Sequence, residues 1–116
     1  MAGCKHPEGV TAAVEDYVKA VYVLGRDGAR VTTSALAARM NVSAPSASAM
    51  AKRLVELELA ERAPYRGVVL TEPGRRLALE VLRHHRLLER FLAEVLGVPL
   101  DRVHEEAERL EHALSE

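Results

Sequence analysis

Four residues near the C-terminus, His104, Glu108, Glu111 and His112, have the types and spacing of a metal site. Residues 103–112 read as a helix, and at 100° per residue the four share an arc roughly 100° wide. Val103, Ala107, Leu110 and Leu114 form an apolar stripe on the flank of that arc. Carboxylates at the edge of a buried face cost free energy unless something uses them. Two imidazoles and two carboxylates stacked this way can hold a first-row divalent cation. On charge alone, a solvated acidic face explains the same residues equally well. A second pair, His85 and Glu89, one turn apart on the preceding helix, favours the metal.

The elements that carry these residues belong to a short, aliphatic chain. It has 116 residues, 48% of them hydrophobic and few of them aromatic, which points to one mainly helical unit rather than a sheet sandwich. The net charge of −1 gives no global case for nucleic acid, but its distribution does. Residues 43–76 hold six Lys/Arg against four Glu, whereas residues 77–116 hold five Arg against nine acids. A basic middle suits an anionic partner and an acidic C-terminal third suits a cation. The single cysteine, Cys4, excludes an internal disulfide and fits a reducing cytoplasm. No apolar run approaches a membrane span and residues 1–10 lack the core of a signal peptide, so we expect a cytoplasmic protein without membrane contact.

Along the chain, Thr11 caps a helix running to about Leu24, with Val14, Tyr17, Val18, Val21 and Tyr22 on one side. Asp16 and Lys19 point away from that stripe. Thr32, Thr33 and Ser34 offer caps for a short helix from Ala35 to Met40, stopped by a left-handed Asn41. Ser43 caps the next helix, which tolerates Pro45 in its first turn and runs to about Glu58. Two strand-like runs, residues 59–63 and 68–70, flank the turn signature Pro64-Tyr65-Arg66-Gly67. Thr71 caps a long helix that ends near Gly97, and residues 98–101 link it to the metal-bearing helix. Ser115 reads as the N-cap of one further helix.

The two short helices joined by Asn41 and Val42 have the pattern of a helix-turn-helix, with Leu36, Met40, Val42, Ala47 and Met50 facing one another. The two strands make it winged. In such a fold the second helix enters the major groove. Ser43, Ser46 and Ser48 offer hydroxyls to phosphates or base edges, and Pro45 can touch a thymine methyl. Lys52, and Arg66 in the wing, are placed for phosphate. No arginine stands near the helix tip to pair with guanine, so discrimination should come from shape and apolar contact.

The winged motif, followed by residues 82–92 (LRHHRLLERFL) and 103–112 (VHEEAERLEH), resembles one family. This is the family of metal-dependent repressors typified by the diphtheria toxin repressor and the manganese transport regulator. The resemblance runs from about Val14 to Ser115. It implies a mainly α fold: an N-terminal winged helix-turn-helix DNA-binding domain over residues 1–72, then a helical dimerisation and metal-binding domain over residues 73–116. We expect the second domain to be cut before its last helix and before any SH3-like third domain. The resemblance further implies a primary metal set at Asp16, Glu108, Glu111 and His112, and an ancillary set at His85, Glu89 and His104. Iron-type members hold a methionine and a cysteine where this chain has Asp16 and Glu108. Its oxygen donors there match the manganese type, but Lys19 stands where that type has a bridging glutamate. His85 shares the apolar arc of its helix with Leu88 and Leu92. A lone histidine there reads as core, and its pairing with Glu89 and the resemblance turn it into a ligand. His6 and His84 match no ligand position.

The expected function is a homodimeric repressor of metal-uptake genes that binds a palindromic double-stranded operator when Mn2+ is bound. Fe2+ is the alternative corepressor. Shifting DNA-competent dimers from 1% to 99% needs roughly 5.5 kcal/mol of differential metal affinity. Two other classes compete with this reading. A ferritin-like metalloenzyme needs Glu-x-x-His pairs, but Leu82, Asp101 and Arg109 stand three before His85, His104 and His112. With no catalytic set besides, we expect no enzyme. A metal-independent winged-helix regulator would leave the carboxylates idle, and its DNA binding would survive a chelator.

Overall fold

The computed structural model describes residues 9–26, 29–63, 67–97 and 99–115. Among these, five helices and a two-stranded sheet follow in the order α1 (Ala12–Leu24), α2 (Thr33–Met40), α3 (Ala44–Glu56), β1 (Ala60–Arg62), β2 (Val68–Leu70), α4 (Glu72–Glu94) and α5 (Leu100–Ser115). The chain divides into two compact units, one of Gly9–Leu79 and one containing Glu80–Glu116.

In the first unit, capping fixes where each helix starts. Thr11 Oγ1 accepts from the Val14 amide at 3.2 Å, and Ser43 Oγ from the Ser46 amide at 3.3 Å. Thr32, the first of its three candidate caps, accepts from the Ala35 amide at 3.1 Å, so α2 starts at Thr33 rather than Ala35. Asn41 takes the left-handed conformation, φ 55°, and ends α2 as expected. α3 stops at Glu56, two residues early, because Glu58 enters the left-handed region at φ 62° and turns the chain toward β1.

Leu36, Ala37, Ala47, Ala51 and Leu54 are the buried residues of α2 and α3, with Met40 and Met50 only half-buried. Val42 departs from the expected interface: it is 39% exposed, because the left-handed residue before it turns it outward. α1 adds Val14, Tyr17, Val18 and Val21 to this core. β1 and β2 pair antiparallel with Ala60 opposite Leu70, and the Ala63 amide donates to Gly67 O at 3.1 Å across the turn. Val31 forms an isolated bridge with Val68, each amide donating to the other's carbonyl. Gly67, at φ 94°, is required there, since a Cβ would strike the Val31 backbone.

Thr71 caps α4 as expected: its Oγ1 accepts from the Gly74 amide at 3.2 Å and donates to Glu58 O at 2.7 Å. Gly74 lets the first turn of α4 approach the backbone just before β1, because a Cβ at that position would collide with the Leu59 carbonyl. The Arg75 guanidinium bonds Glu72 at 2.7 Å and holds its carboxyl below the usual carboxylate range, first by that hydrogen bond and then by charge.

In the second unit, Leu92 on α4 packs with Val103 and Ala107 on α5, supported by Leu88, Ala93 and Leu110. α4 ends at Glu94, short of Gly97, which takes φ 70°. α5 begins at Leu100, so Leu100 and Asp101 belong to the helix and not to the link. The Pro99 carbonyl starts it by accepting from Arg102 and Val103 at 2.9 and 3.1 Å. α5 also runs through Ser115, which is helical here and not the extended residue expected of an N-cap. No helix among the described residues is long and apolar enough to cross a membrane.

Candidate metal and DNA-binding sites

α4 and α5 bring His85, Glu89 and His104 together, with one ligand atom of each within 4.8 Å of the others. His85 Nε2 lies 2.9 Å from His104 Nδ1 and 3.5 Å from Glu89 Oε1, while His104 Nδ1 lies 3.7 Å from Glu89 Oε2. The two rings meet edge to face, 4.6 Å between centroids. The helical repeat explains half of this, since His85 and Glu89 are one turn apart. The rest comes from the Leu92–Val103–Ala107 packing, which sets α5 beside α4. Two imidazole nitrogens and a carboxylate converging in this way fit a first-row divalent cation. His85 is 6% exposed, so its ring is held by packing, whereas His104 is exposed at the rim.

The residues named as a primary set fall on two elements. Glu108, half-buried, and Glu111, 4% exposed, lie on α5 within the unit that contains His85. His112 lies on α5 too, but its side chain is outside the described residues. Asp16, half-buried on α1, belongs to the Gly9–Leu79 unit. Sequence reasoning missed where Glu111 points. Its Oε2 lies 3.7 Å from His85 Nδ1, and neither atom has a hydrogen-bond partner among the described residues. Spacing along one helix carries no signal for such a pair. Glu15, 2% exposed on α1, is a buried acid that the sequence reading did not single out.

Ser43, the N-cap of α3, and Pro45, Ser46, Ser48 and Lys52 on that helix are all exposed. Ser43 Oγ and Ser46 Oγ are 2.9 Å apart, so the first turn presents a linked pair of hydroxyls. A groove beside Pro45 and Ser48 is lined also by Thr32, Thr33, Ser34 and Arg62. Arg62 escaped the sequence reading, because strand alternation would put it on the face of buried Ala60, whereas it is exposed at the end of β1. Arg66 lies outside the described residues.

Comparison with known proteins assigns both units to one lineage. Residues 10–68 match the family described as iron dependent repressor, N-terminal DNA binding domain, and residues 71–116 match its metal binding and dimerisation domain. The chain is 40% identical over 102 residues to the iron-dependent repressor IdeR of Mycobacterium tuberculosis, covering 88% of this chain and 44% of that protein. It is 40% identical over 103 residues to the transcriptional regulator MntR of Escherichia coli, covering 89% of this chain and 66% of that one. Among solved structures, a manganese-dependent transcriptional repressor in complex with manganese aligns with a TM-score of 0.74 at 44% identity, over 86% of this chain and 46% of that one. The chain thus spans less than half the length of the mycobacterial repressor it matches.

Proposed function

The chain belongs to the iron-dependent repressor family, and from that premise we propose that it is a manganese-activated repressor of metal-uptake genes, binding a palindromic operator as a homodimer in the cytoplasm. Residues 1–72 read DNA and residues 73–116 dimerise and bind metal. The observation that carries the reading is the convergence of His85, Glu89 and His104 in one unit while the other presents an exposed, capped helix after a left-handed turn.

His85, Glu89 and His104 are the ancillary ligands. Asp16, Glu108, Glu111 and His112 are the primary set, carried over from the family resemblance. A bound divalent cation supplies the positive charge and directional bonds that a cluster of carboxylates lacks. Oxygen donors at Asp16 and Glu108, in place of the sulfur donors of iron-type members, favour manganese and disfavour softer-ligand metals. Lys19 adds positive charge near Asp16 in sequence and opposes a second cation there. Ser43, Pro45, Ser46 and Ser48 meet base edges and phosphates, while Lys52 and Arg66 hold phosphate. Leu87 and Phe91 stand one turn apart on α4 and Val95 follows at the same spacing just past its end, each at least 45% exposed, and a second copy would cover them. The reading gives no residue a catalytic role.

The similar identity to an iron-dependent repressor, 40%, and to a manganese-dependent one, 44%, supports one second reading, an iron-activated repressor. The test is selection of duplexes from a randomised library at equal free manganese, ferrous iron or zinc, with a chelator control. An inverted repeat enriched with manganese at lower free metal than with iron supports the proposal. Enrichment by iron alone replaces manganese with iron. Equal enrichment in chelator contradicts metal control altogether.

A further inference from the structure

The sheet puts Arg62 in an unusual place for an arginine. It stands opposite Val68, which is 1% exposed, and directly opposed residues of an antiparallel pair share a face. Arg62 therefore belongs to the inner face of the ribbon, and Ala60, two residues back on that face, is buried. An unpaired guanidinium enclosed there would lose its hydration for nothing. β1 ends at Arg62, and the side chain is exposed past the edge of the core. It lines a groove there with Thr33 and Ser34 of α2 and with Pro45 and Ser48 of α3.

The groove carries one sign of charge. Arg62 is the only charged side chain among the described residues that line it, the others being hydroxyl-bearing or apolar. Arg53 and Arg75 of the same unit are each paired with a glutamate, at 3.8 and 2.7 Å. Arg62 has no ion pair among the described residues. Hydroxyls donate and accept hydrogen bonds but bring no charge, so they leave the guanidinium uncompensated. A free cation in a concavity beside α3 suits an anion that arrives with the DNA. The guanidinium fork matches two oxygens of one phosphate. A guanine edge would also offer the fork two acceptors. The position favours phosphate, because Arg62 reaches out from the sheet at the side of α3 and not from the helix that enters the major groove.

We propose that Arg62 holds a backbone phosphate of the bound duplex in this groove, one for each bound chain, and so sets the register of α3 on the DNA. The inference rests on the DNA-binding reading above and adds to it a positioning residue drawn from β1. Its charge acts on every duplex alike, since phosphates carry no sequence information.

The test uses the full chain with saturating manganese or ferrous iron, a duplex obtained by selection and a random one, with melting curves to check the fold. Arg62→Ala should weaken both duplexes by the same factor and flatten the salt dependence by about 0.9 in slope per bound chain. Raising salt from about 50 to about 200 mM should then cost the variant about 3.5-fold less affinity per chain than its parent. Arg62→Lys keeps the charge and should restore the slope but only part of the affinity, because an ammonium lacks the paired bonds. Neutral methylphosphonate, placed at each backbone position in turn, locates the contact. One position per half-site should weaken the unaltered chain and leave Arg62→Ala indifferent. Unchanged slope and affinity in Arg62→Ala, or no position to which it has become indifferent, overturns the proposal. So does a loss confined to the selected duplex, which would make Arg62 a reader of bases. Were the alanine variant to melt early, Arg62→Gln decides by the same slope. If the unaltered chain binds no duplex with either metal, the DNA-binding reading fails and this inference with it.

Discussion

The two compact units differ in what they bury. Gly9–Leu79 closes over aliphatic side chains from α1, α2, α3 and both strands, with Leu36, Leu54, Val18, Val21 and Val68 almost wholly enclosed and one acid, Glu15, buried among these many apolar groups. Among the described residues, the Glu80–Glu116 unit buries little more than Val81, Leu92, Val103 and Ala107, and encloses two ionisable groups, His85 and Glu111, beside them. It also leaves Leu87, Phe91, Val95 and Leu96 on its surface. The first unit has the core of a domain that holds its own shape. Among its described residues the second sets two ionisable groups beside few buried apolar ones and keeps large apolar side chains outside, a balance that suits a unit completed by ligands and by a partner.

The largest effect should come from the better core. Leu36→Ala or Leu54→Ala should cost about 2–5 kcal/mol in urea unfolding followed by circular dichroism. A loss under about 1 kcal/mol would mean that this core collapses around the gap and the contrast between the units is weaker than it looks. Next comes the exposed stripe of α4. Phe91→Asp should leave helix content intact yet weaken self-association at least about 30-fold, the roughly 2 kcal/mol of an interface hot spot. Sedimentation equilibrium that reads the same dimerisation constant for the variant would leave the stripe without the partner assigned to it.

Changes on the DNA-reading side should be smaller and of two kinds. Arg66→Ala should weaken all duplexes alike and flatten the salt dependence by about one unit of slope. Pro45→Ala should instead erode discrimination, by about 1 kcal/mol between selected and random duplex. Equal loss on both DNAs for the Pro45 change would show that α3 positions rather than reads. The smallest effect belongs to Glu72, whose carboxyl is held below its ordinary value of 4.5 by the Arg75 hydrogen bond. A lowered folded value means a contribution that is full above the unfolded value and lost as pH falls through the folded one. Glu72→Gln should therefore trim thermal stability slightly at pH 7 and not at all near pH 2, and a deficit that persists at pH 2 would point to lost packing instead.

Much of this fold is written locally. Thr11, Ser43 and Thr71 cap where their types and followers say they should, and Asn41 turns left-handed where a helix-turn-helix needs it. His85 and Glu89 meet by helical spacing alone. What the sequence hid is non-local. The Val31–Val68 bridge joins residues far apart in the chain, and Gly74 is needed only because α4 passes the Leu59 carbonyl. Val42 carries an apolar type but is swung out by the turn before it. His85 and Glu111 were assigned to separate metal sets, and only the packing of α4 on α5 reveals that they face each other.

The central claim is that the buried polar groups of the second unit govern DNA binding by the first. Fluorescence anisotropy on a duplex obtained by selection, titrated against buffered free manganese, tests it most directly for the full chain and for Glu111→Ala and His112→Ala. Binding by the unaltered chain should strengthen at least about 100-fold from chelator to saturating manganese, with both variants flat at the chelator level and unchanged in helix content. Full-strength binding in chelator, by the unaltered chain or by either variant, would contradict it.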